Sequence, residues 1–206
     1  NLPFFLIAGP CSIEGNVHAI DHAGKINDIC KSLNCNLGSF NKKKDILRNL
    51  KIIIKKIKTT SKSIIIPNQI HSNKFCYINK KAKYKKNRFN GDAIITNQKN
   101  VPIGILTADC VPILIYDQNK NIISAIHAGW RGAYKDIIKN VVEFMLKKGC
   151  ETKYITAVIG PCISMKNYEV KKDFLDKFLK KDKKNKVFFK KVKNKFFFNL
   201  NKYIYF

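Results

Sequence analysis

Arginine is nearly absent from this 206-residue chain: Arg48, Arg88 and Arg131 stand among 40 basic residues, and the other 37 are lysines. Proteins that read base edges favour the bidentate arginine fork, so the scarcity argues against a specific nucleic-acid partner. A net charge of +26 and a pI near 9.9 leave nonspecific adhesion to RNA or DNA at low salt as the expected polyanion behaviour. Lysine abounds together with isoleucine and asparagine, a pattern of drift toward AT-rich codons. Runs such as Lys42-Lys43-Lys44, Lys80-Lys81, Lys180-Lys181 and Lys183-Lys184 then read as solvated faces or loops. No stretch reaches the roughly 18 apolar residues of a membrane-spanning helix, so no membrane partner is expected. Leu2 to Ala8 is apolar, but no basic segment precedes it, which argues against a secretory signal. Internal repeats, long Gly/Ser linkers, CxxC and HExxH are all missing, so no local metal motif announces a site. Seven cysteines, an odd number without regular spacing, argue against a disulfide scaffold and for a reducing compartment, with a cytoplasmic protein as the expectation.

What the chain does have is enough apolar material for a sizeable core, with 45% hydrophobic and 11% aromatic residues. Its most informative run is TADCVPILIYDQNKNIISAIHAGWRG. Val111 to Tyr116 and Ile122 to Ile126 read as two strands around a polar turn, the pattern of a β-hairpin. A tip at Gln118-Asn119 places Cys110 directly opposite His127, with Cα atoms roughly 4.5 to 5.5 Å apart. A thiolate and an imidazole so placed can share one metal ion or one proton. Beyond His127, Gly129, Trp130, Arg131 and Gly132 lead into a helix whose apolar stripe runs through Tyr134, Ile137, Ile138, Val141, Val142, Met145 and Leu146, and Gly149 ends it. Glycines there read either as a tight turn or as a bed of backbone N–H groups suited to an anion such as phosphate. Arg131, beside the sole tryptophan, offers a planar forked donor for a phosphate or for a structural salt bridge.

His71 follows the apolar run Ile64 to Ile66, which is expected to be a strand that the histidine ends. Only four histidines are present: His18, His22, His71 and His127. His71, Cys110 and His127 form a set with a vacant fourth position, which matches a catalytic zinc site. Cys110 as a nucleophile with His127 as its base is the metal-free alternative. The polar, basic stretch from Lys80 to Asn90 is expected to be a mobile loop.

Six motifs occur in the order of one known family: Gln69-Ile70-His71, Gly91-Asp92-Ala93, Thr107-Ala108-Asp109-Cys110, His127-Ala128-Gly129-Trp130-Arg131-Gly132, Ile159-Gly160-Pro161-Cys162-Ile163 and Tyr168-Glu169-Val170. From about residue 36 onward the chain resembles the YfiH-like family, described as polyphenol oxidase or laccase and as purine nucleoside phosphorylase with adenosine deaminase activity. Asn36-Leu37-Gly38 and Asn49 extend the match. The resemblance implies an α/β fold, a four-layer α/β/β/α sandwich, spanning residues 36–206 as one domain. It implies His71, Cys110 and His127 as metal ligands and as catalytic residues together with Asp109. Substrate contacts would fall to Gln69, Gly129, Trp130 and Arg131, and the partners would be a purine nucleoside and phosphate. A monomer or a homodimer is expected.

The first 35 residues depart from that pattern. Phe4 to Gly15, with its Ile7-Ala8-Gly9-Pro10-Cys11-Ser12-Ile13-Glu14 core, is similar to the opening strand of 3-deoxy-octulosonate-phosphate synthases, and the helical stretch to Leu33 follows as in those barrels. A separate, fused strand-helix fragment over residues 1–35 is therefore expected; a barrel needs about 250 residues, so it would not carry that activity. At the other end Phe197 to Lys202 resembles the family's FDL segment, and the arginine-rich motif that follows it in the family is not reached by Phe206. With a start at Asn1, both ends read as incomplete.

Zinc held by the three ligands would bring a water to the hydroxide level near neutral pH for attack at a purine C6, with Asp109 moving a proton or orienting a ligand. Phosphorolysis would instead direct phosphate to the ribose C1′, assisted by Arg131 and the glycine turn. True multicopper chemistry needs about ten histidines, because imidazole is copper's preferred ligand. Four are too few, although a single copper could take the place of zinc.

Overall fold

A computed structural model of the chain describes residues 7–8, 50–55, 60–79 and 89–206. His18, His22, Asn36-Leu37-Gly38, Asn49 and all but the last two residues of the expected loop from Lys80 to Asn90 lie outside the described residues. The strands are β1 (Ile7–Ala8), β2 (Phe75–Ile78), β3 (Ala93–Thr96), β4 (Leu106–Thr107), β5 (Val111–Asp117), β6 (Ile122–Ala128), β7 (Ile155–Ile159), β8 (Glu169–Val170), β9 (Phe189–Val192) and β10 (Lys195–Phe198). The helices are α1 (Trp130–Tyr134), α2 (Ile137–Lys147), α3 (Lys172–Lys181) and α4 (Leu200–Tyr205). Residues 50–55 are also helical. The expected α/β class is what these elements form.

A five-stranded sheet in the order β2-β3-β6-β5-β7 carries the site. Only β2 and β3 are parallel; the other neighbours are antiparallel. β3 and β6 are buried along their whole length because both faces of the sheet are covered, so buried and exposed residues do not alternate. Ala93, Ile95, Ile113, Ile115, Ile122 and Ile126 pack with Ile137, Val141 and Met145 of α2. Ile94, Ile123 and Ala125 point the other way, into a second cluster with Ile78, Ile103 and Ile105.

The hairpin has a four-residue turn, and this corrects the expected register. Asp117 is buried, and its Oδ1 accepts from Lys120 N at 2.6 Å while Asn121 turns into the left-handed region at φ 53°. A closed turn of that kind carries both strands further before they separate. His127 therefore pairs with Pro112 and Ala128 with Val111, and one more step sets Cys110 opposite Gly129 rather than His127. The displacement is by two residues, not one, so side chains keep their faces. Cys110 and His127 become diagonal neighbours.

The apolar stripe after His127 is likewise divided. Asp136 adopts φ 62°, which short polar side chains tolerate, and the helix breaks into α1 and α2. Ile137, Val141 and Met145 remain fully buried, whereas Leu146 is 38% exposed. Gly149, at φ 85°, ends α2 as expected: its N–H donates to Leu146 O and Cys150 N to Met145 O, the paired bonds of a Schellman cap. The strand expected over Ile64 to Ile66 is reduced to an isolated parallel bridge between Ile65 and Ile103, since Pro67 has no N–H to extend it. The chain then runs beside the start of β3, where Asn68 N donates to Phe89 O and Gly91 N to Asn68 O. That path brings His71 to the end of the sheet.

Below the sheet, α3, α4 and the three-stranded sheet β8-β10-β9 enclose an aromatic cluster. Phe178 lies at its centre, fully buried, with ring centroids 4.9 Å from Phe174 and Phe198, 5.0 Å from Tyr134 and 5.1 Å from Tyr203. Because Tyr134 belongs to α1, this cluster ties the helix after His127 to the C-terminal elements. Truncating Phe178→Ala is expected to cost about 3–5 kcal/mol of unfolding free energy, measured by denaturant titration.

Candidate metal centre

His71, Cys110 and His127 meet at the end of the sheet, with their ligand atoms all within 4.8 Å of one another. Cys110 Sγ lies 3.7 Å from His71 Nε2. Sulfur and nitrogen donors at ordinary zinc bond lengths and tetrahedral angles are about 3.6 Å apart. The two imidazole rings meet edge to face, with centroids 4.8 Å apart.

Each ligand is placed by a different constraint. His127 is buried in β6; its N donates to Asp92 O at 2.7 Å, and its Nδ1 lies 2.9 Å from Asp92 Oδ1. His71 occupies a bend at φ 55°, and its backbone N donates to Asp92 Oδ1 at 2.9 Å. Cys110 directly precedes β5, and the Thr107 hydroxyl donates to its carbonyl.

Three features of the pocket fit a metal. His127 Nε2 is buried and has no hydrogen-bond partner, a costly state for a ring nitrogen that nothing else fills. Its other nitrogen faces a carboxylate, the usual support of a metal-binding histidine. His71 is held below its ordinary pKa, first by burial and then by the nearby His127 and Arg131, which together outweigh the opposing charge of Asp92. At neutral pH it is therefore the neutral imidazole that a metal requires. Among the described residues this is the single cluster of its kind.

Gly129 is needed here for space. Its φ of −72° suits any residue, but an added Cβ would stand 2.9 Å from both Cys110 Sγ and His71 Cδ2. Gly132 is confined similarly, with its Cβ position 2.8 Å from Ser72 O. The two glycines let α1 close over the ligand loop.

The remaining expected site residues separate by position. Arg131 is exposed and lies over the Trp130 ring at 5.4 Å, close enough to lower the His71 pKa. Trp130 is half-buried, edge to face with Phe174 at 4.9 Å, and anchors α1 to the aromatic cluster. Gln69 uses its amide as a strand substitute, donating to Leu106 O at 2.6 Å and accepting from Leu106 N at 2.7 Å. Asp109 adjoins Cys110 and its carbonyl accepts from Ile163 N at 3.0 Å, but it is not one of the three clustered ligands.

Asp92 joins the candidate site, although the sequence did not single it out as a site residue. It is fully buried and contacts both histidine-bearing segments. Burial alone would push its carboxyl up; hydrogen bonds from His127 and Ser72 overcome this and hold it below its ordinary 3.8. The signal was present in Gly91-Asp92-Ala93, an acid opening an otherwise apolar strand.

Comparison with known proteins places these residues in a family context. The family model for multi-copper polyphenol oxidoreductase laccase matches residues 18–206. That match begins well before residue 36, and no support emerges for the synthase-like origin expected of the first 35 residues. A purine nucleoside phosphorylase of Bacteroides thetaiotaomicron is 31% identical over 156 residues, 72% of this chain and 58% of that protein. Adenosine deaminase RL5, from an unknown prokaryotic organism, is 34% identical over 123 residues, 57% of this chain and 47% of that protein. The chain thus spans about half the length of these curated relatives. The crystal structure of the Bacillus licheniformis hypothetical protein YfiH superposes with a TM-score of 0.73 at 23% identity, covering 84% of this chain and 68% of that one.

Two outcomes test this description. Gly129→Ala is expected to weaken metal binding at least about tenfold while thermal stability falls little, read by chelator competition. Because the folded pKa of Asp92 is depressed, its stabilisation is complete above about pH 4 and lost as pH falls through the lower folded value. Denaturation midpoints from about pH 6 to about pH 2 should show a shallower acid decline in Asp92→Asn than in the wild type.

Proposed function

The chain belongs to the multi-copper polyphenol oxidoreductase laccase family, and from that premise we propose that His71, Cys110 and His127 hold a zinc ion and that the protein acts on purine nucleosides. The convergence of two imidazoles and a thiol around the unpartnered His127 Nε2 carries the reading. Relatives named purine nucleoside phosphorylase and adenosine deaminase supply the substrate class. Bound there, zinc supplies Lewis acidity that makes water reactive near neutral pH.

The chain's own residues then have distinct tasks. Cys110 provides the one anionic donor of the set, and His71 and His127 provide neutral ones. Gln69 holds the ligand loop against Leu106 and acts by placing His71 rather than by touching substrate. Gly129 keeps the floor of the pocket open between Cys110 and His71. Exposed Arg131, close to His71 and stacked on Trp130, is the group suited to receive a phosphate. Asp109 stands next to the thiolate and serves the proton transfers. Deamination exchanges the C6 amino group of adenosine for the oxygen of water and releases ammonia. Phosphorolysis exchanges the C1′–N bond of a nucleoside for a C1′–O bond to phosphate.

Laccase chemistry in the multicopper sense does not suit this chain. Several copper centres require about ten histidines, and four are present. A single copper at the His/Cys/His set is compatible with the donors and is distinguished from zinc by elemental analysis. One metal-free reading has a specific observation behind it: Cys110 Sγ is 3.7 Å from His71 Nε2, so a thiol nucleophile would use His71, not His127, as its base.

The deciding experiment incubates purified protein with adenosine and with adenosine plus phosphate, and follows inosine, adenine and hypoxanthine chromatographically while metal content is measured. Near-stoichiometric zinc that disappears in His71→Ala, with nucleoside turnover falling about 100-fold or more, is the expected result. Metal-free protein that is active and is silenced by thiol alkylation would replace this reading with the Cys–His one.

A further inference from the structure

We propose that Asp92 is the positioning residue of both ligand histidines, one buried carboxylate that selects the tautomer of His127 and shapes the loop that carries His71. The inference rests on the metal-centre reading for its consequence but not for its geometry.

An ionised carboxylate only accepts hydrogen bonds. His127 Nδ1 lies 2.9 Å from Asp92 Oδ1, so Nδ1 carries a proton, and in the neutral ring Nε2 then presents its lone pair. That lone pair is the buried atom with no hydrogen-bond partner. A neutral histidine free to choose would populate both tautomers, and one of them places N–H where a donor atom is needed.

The same carboxylate organises His71 through the backbone. Ile70 N, His71 N and Ser72 N converge on it at 3.4, 2.9 and 2.5 Å, and the Ser72 hydroxyl adds a bond of 2.7 Å to Oδ2. Three successive N–H groups around a left-handed residue form a concave anion nest. Here the anion is supplied by the protein itself. His71 holds φ 55°, an uncommon angle for a residue with a Cβ, because the nest closes on Asp92. Ser72 Oγ in turn accepts from Lys74 N at 3.2 Å, joining the loop to the approach of β2.

An asparagine cannot replace this group. Its single oxygen could serve His127 and His71 or serve Ser72, and its NH₂ would face N–H donors on the other side. Asp92→Asn is therefore expected to weaken Zn²⁺ affinity about 10- to 100-fold, measured by chelator competition. Ser72→Ala, which removes one of the bonds, should weaken it a few-fold. An exposed control, Asp176→Asn, paired among the described residues with Lys172 on α3, should leave it unchanged.

A spectroscopic readout separates positioning from mere structural support. In metal-free wild-type protein labelled with ¹⁵N-histidine, long-range ¹H–¹⁵N correlation should show His127 as the Nδ1–H tautomer. A dominant Nε2–H tautomer overturns the proposal whatever the variants do. Zinc affinity of folded Asp92→Asn within twofold of wild type also overturns it. If Asp92→Asn does not fold, the wild-type tautomer and the Ser72→Ala affinity decide: unchanged affinity in Ser72→Ala would sink the loop half of the claim. Wild-type protein that binds no zinc yet shows the Nδ1–H tautomer would refute the metal reading while leaving the placement of His127 standing.

Discussion

A carboxylate with no solvent exposure is tolerated only when its charge is surrounded by donors, and Asp92 obtains all of its donors from the two segments that carry His71 and His127. The constraint works in both directions. Without the loop and the histidine the charge would be stranded at the end of the sheet; without the charge, three backbone N–H groups and a ring nitrogen would face one another. The approach of His71 to His127 follows from satisfying that single buried anion. Cys110 arrives independently, from the bend before β5, and Gly129 leaves the gap that the thiol occupies.

Rigidity comes from the sheet behind the site. β3 and β6 are buried on both faces, so neither can shift without disturbing two cores, and the pairs Ala93 with Ile126 and Pro112 with His127 fix where the ligand-bearing ends emerge. The helix after His127 is held by another device. Trp130 and Tyr134 enter the aromatic cluster around Phe178, which couples the glycine turn beside the ligands to elements more than 40 residues further along the chain. Lysine is plentiful on those elements, yet several of its ammonium groups lie over aromatic rings, as Lys177 does over Trp130 at 5.0 Å. Part of the exposed positive charge is thus used to cover apolar surface.

Family membership and chemistry point in different directions over copper. The laccase description belongs to the family model, whereas the donors in this chain amount to two histidines and one cysteine in one cluster among the described residues. One metal ion with an open position suits hydrolytic or group-transfer work better than four-electron reduction of oxygen, which needs several coppers acting together.

Much of this was legible in the sequence. The α/β class, the hairpin strands, the C-terminal stop of α2 at Gly149 and the grouping of His71, Cys110 and His127 follow from periodicity, turn residues and the ordered motifs. The hairpin register was not legible, because it depended on Asp117 closing on Lys120 N and Asn121 turning left-handed, side-chain choices that a polar run does not disclose. The break at Asp136 was hidden for a similar reason: the apolar stripe runs through it unchanged. Above all, Asp92 is one acid in a motif until the tertiary structure folds residue 71 against it from 21 positions away and residue 127 from 35. Sequence by itself determined which atoms could bind a metal, since that is a property of residue type. Only the tertiary structure decided which nitrogen of His127 faces the site and why His71 bends toward it, since both depend on one buried charge whose partners are distant in the chain.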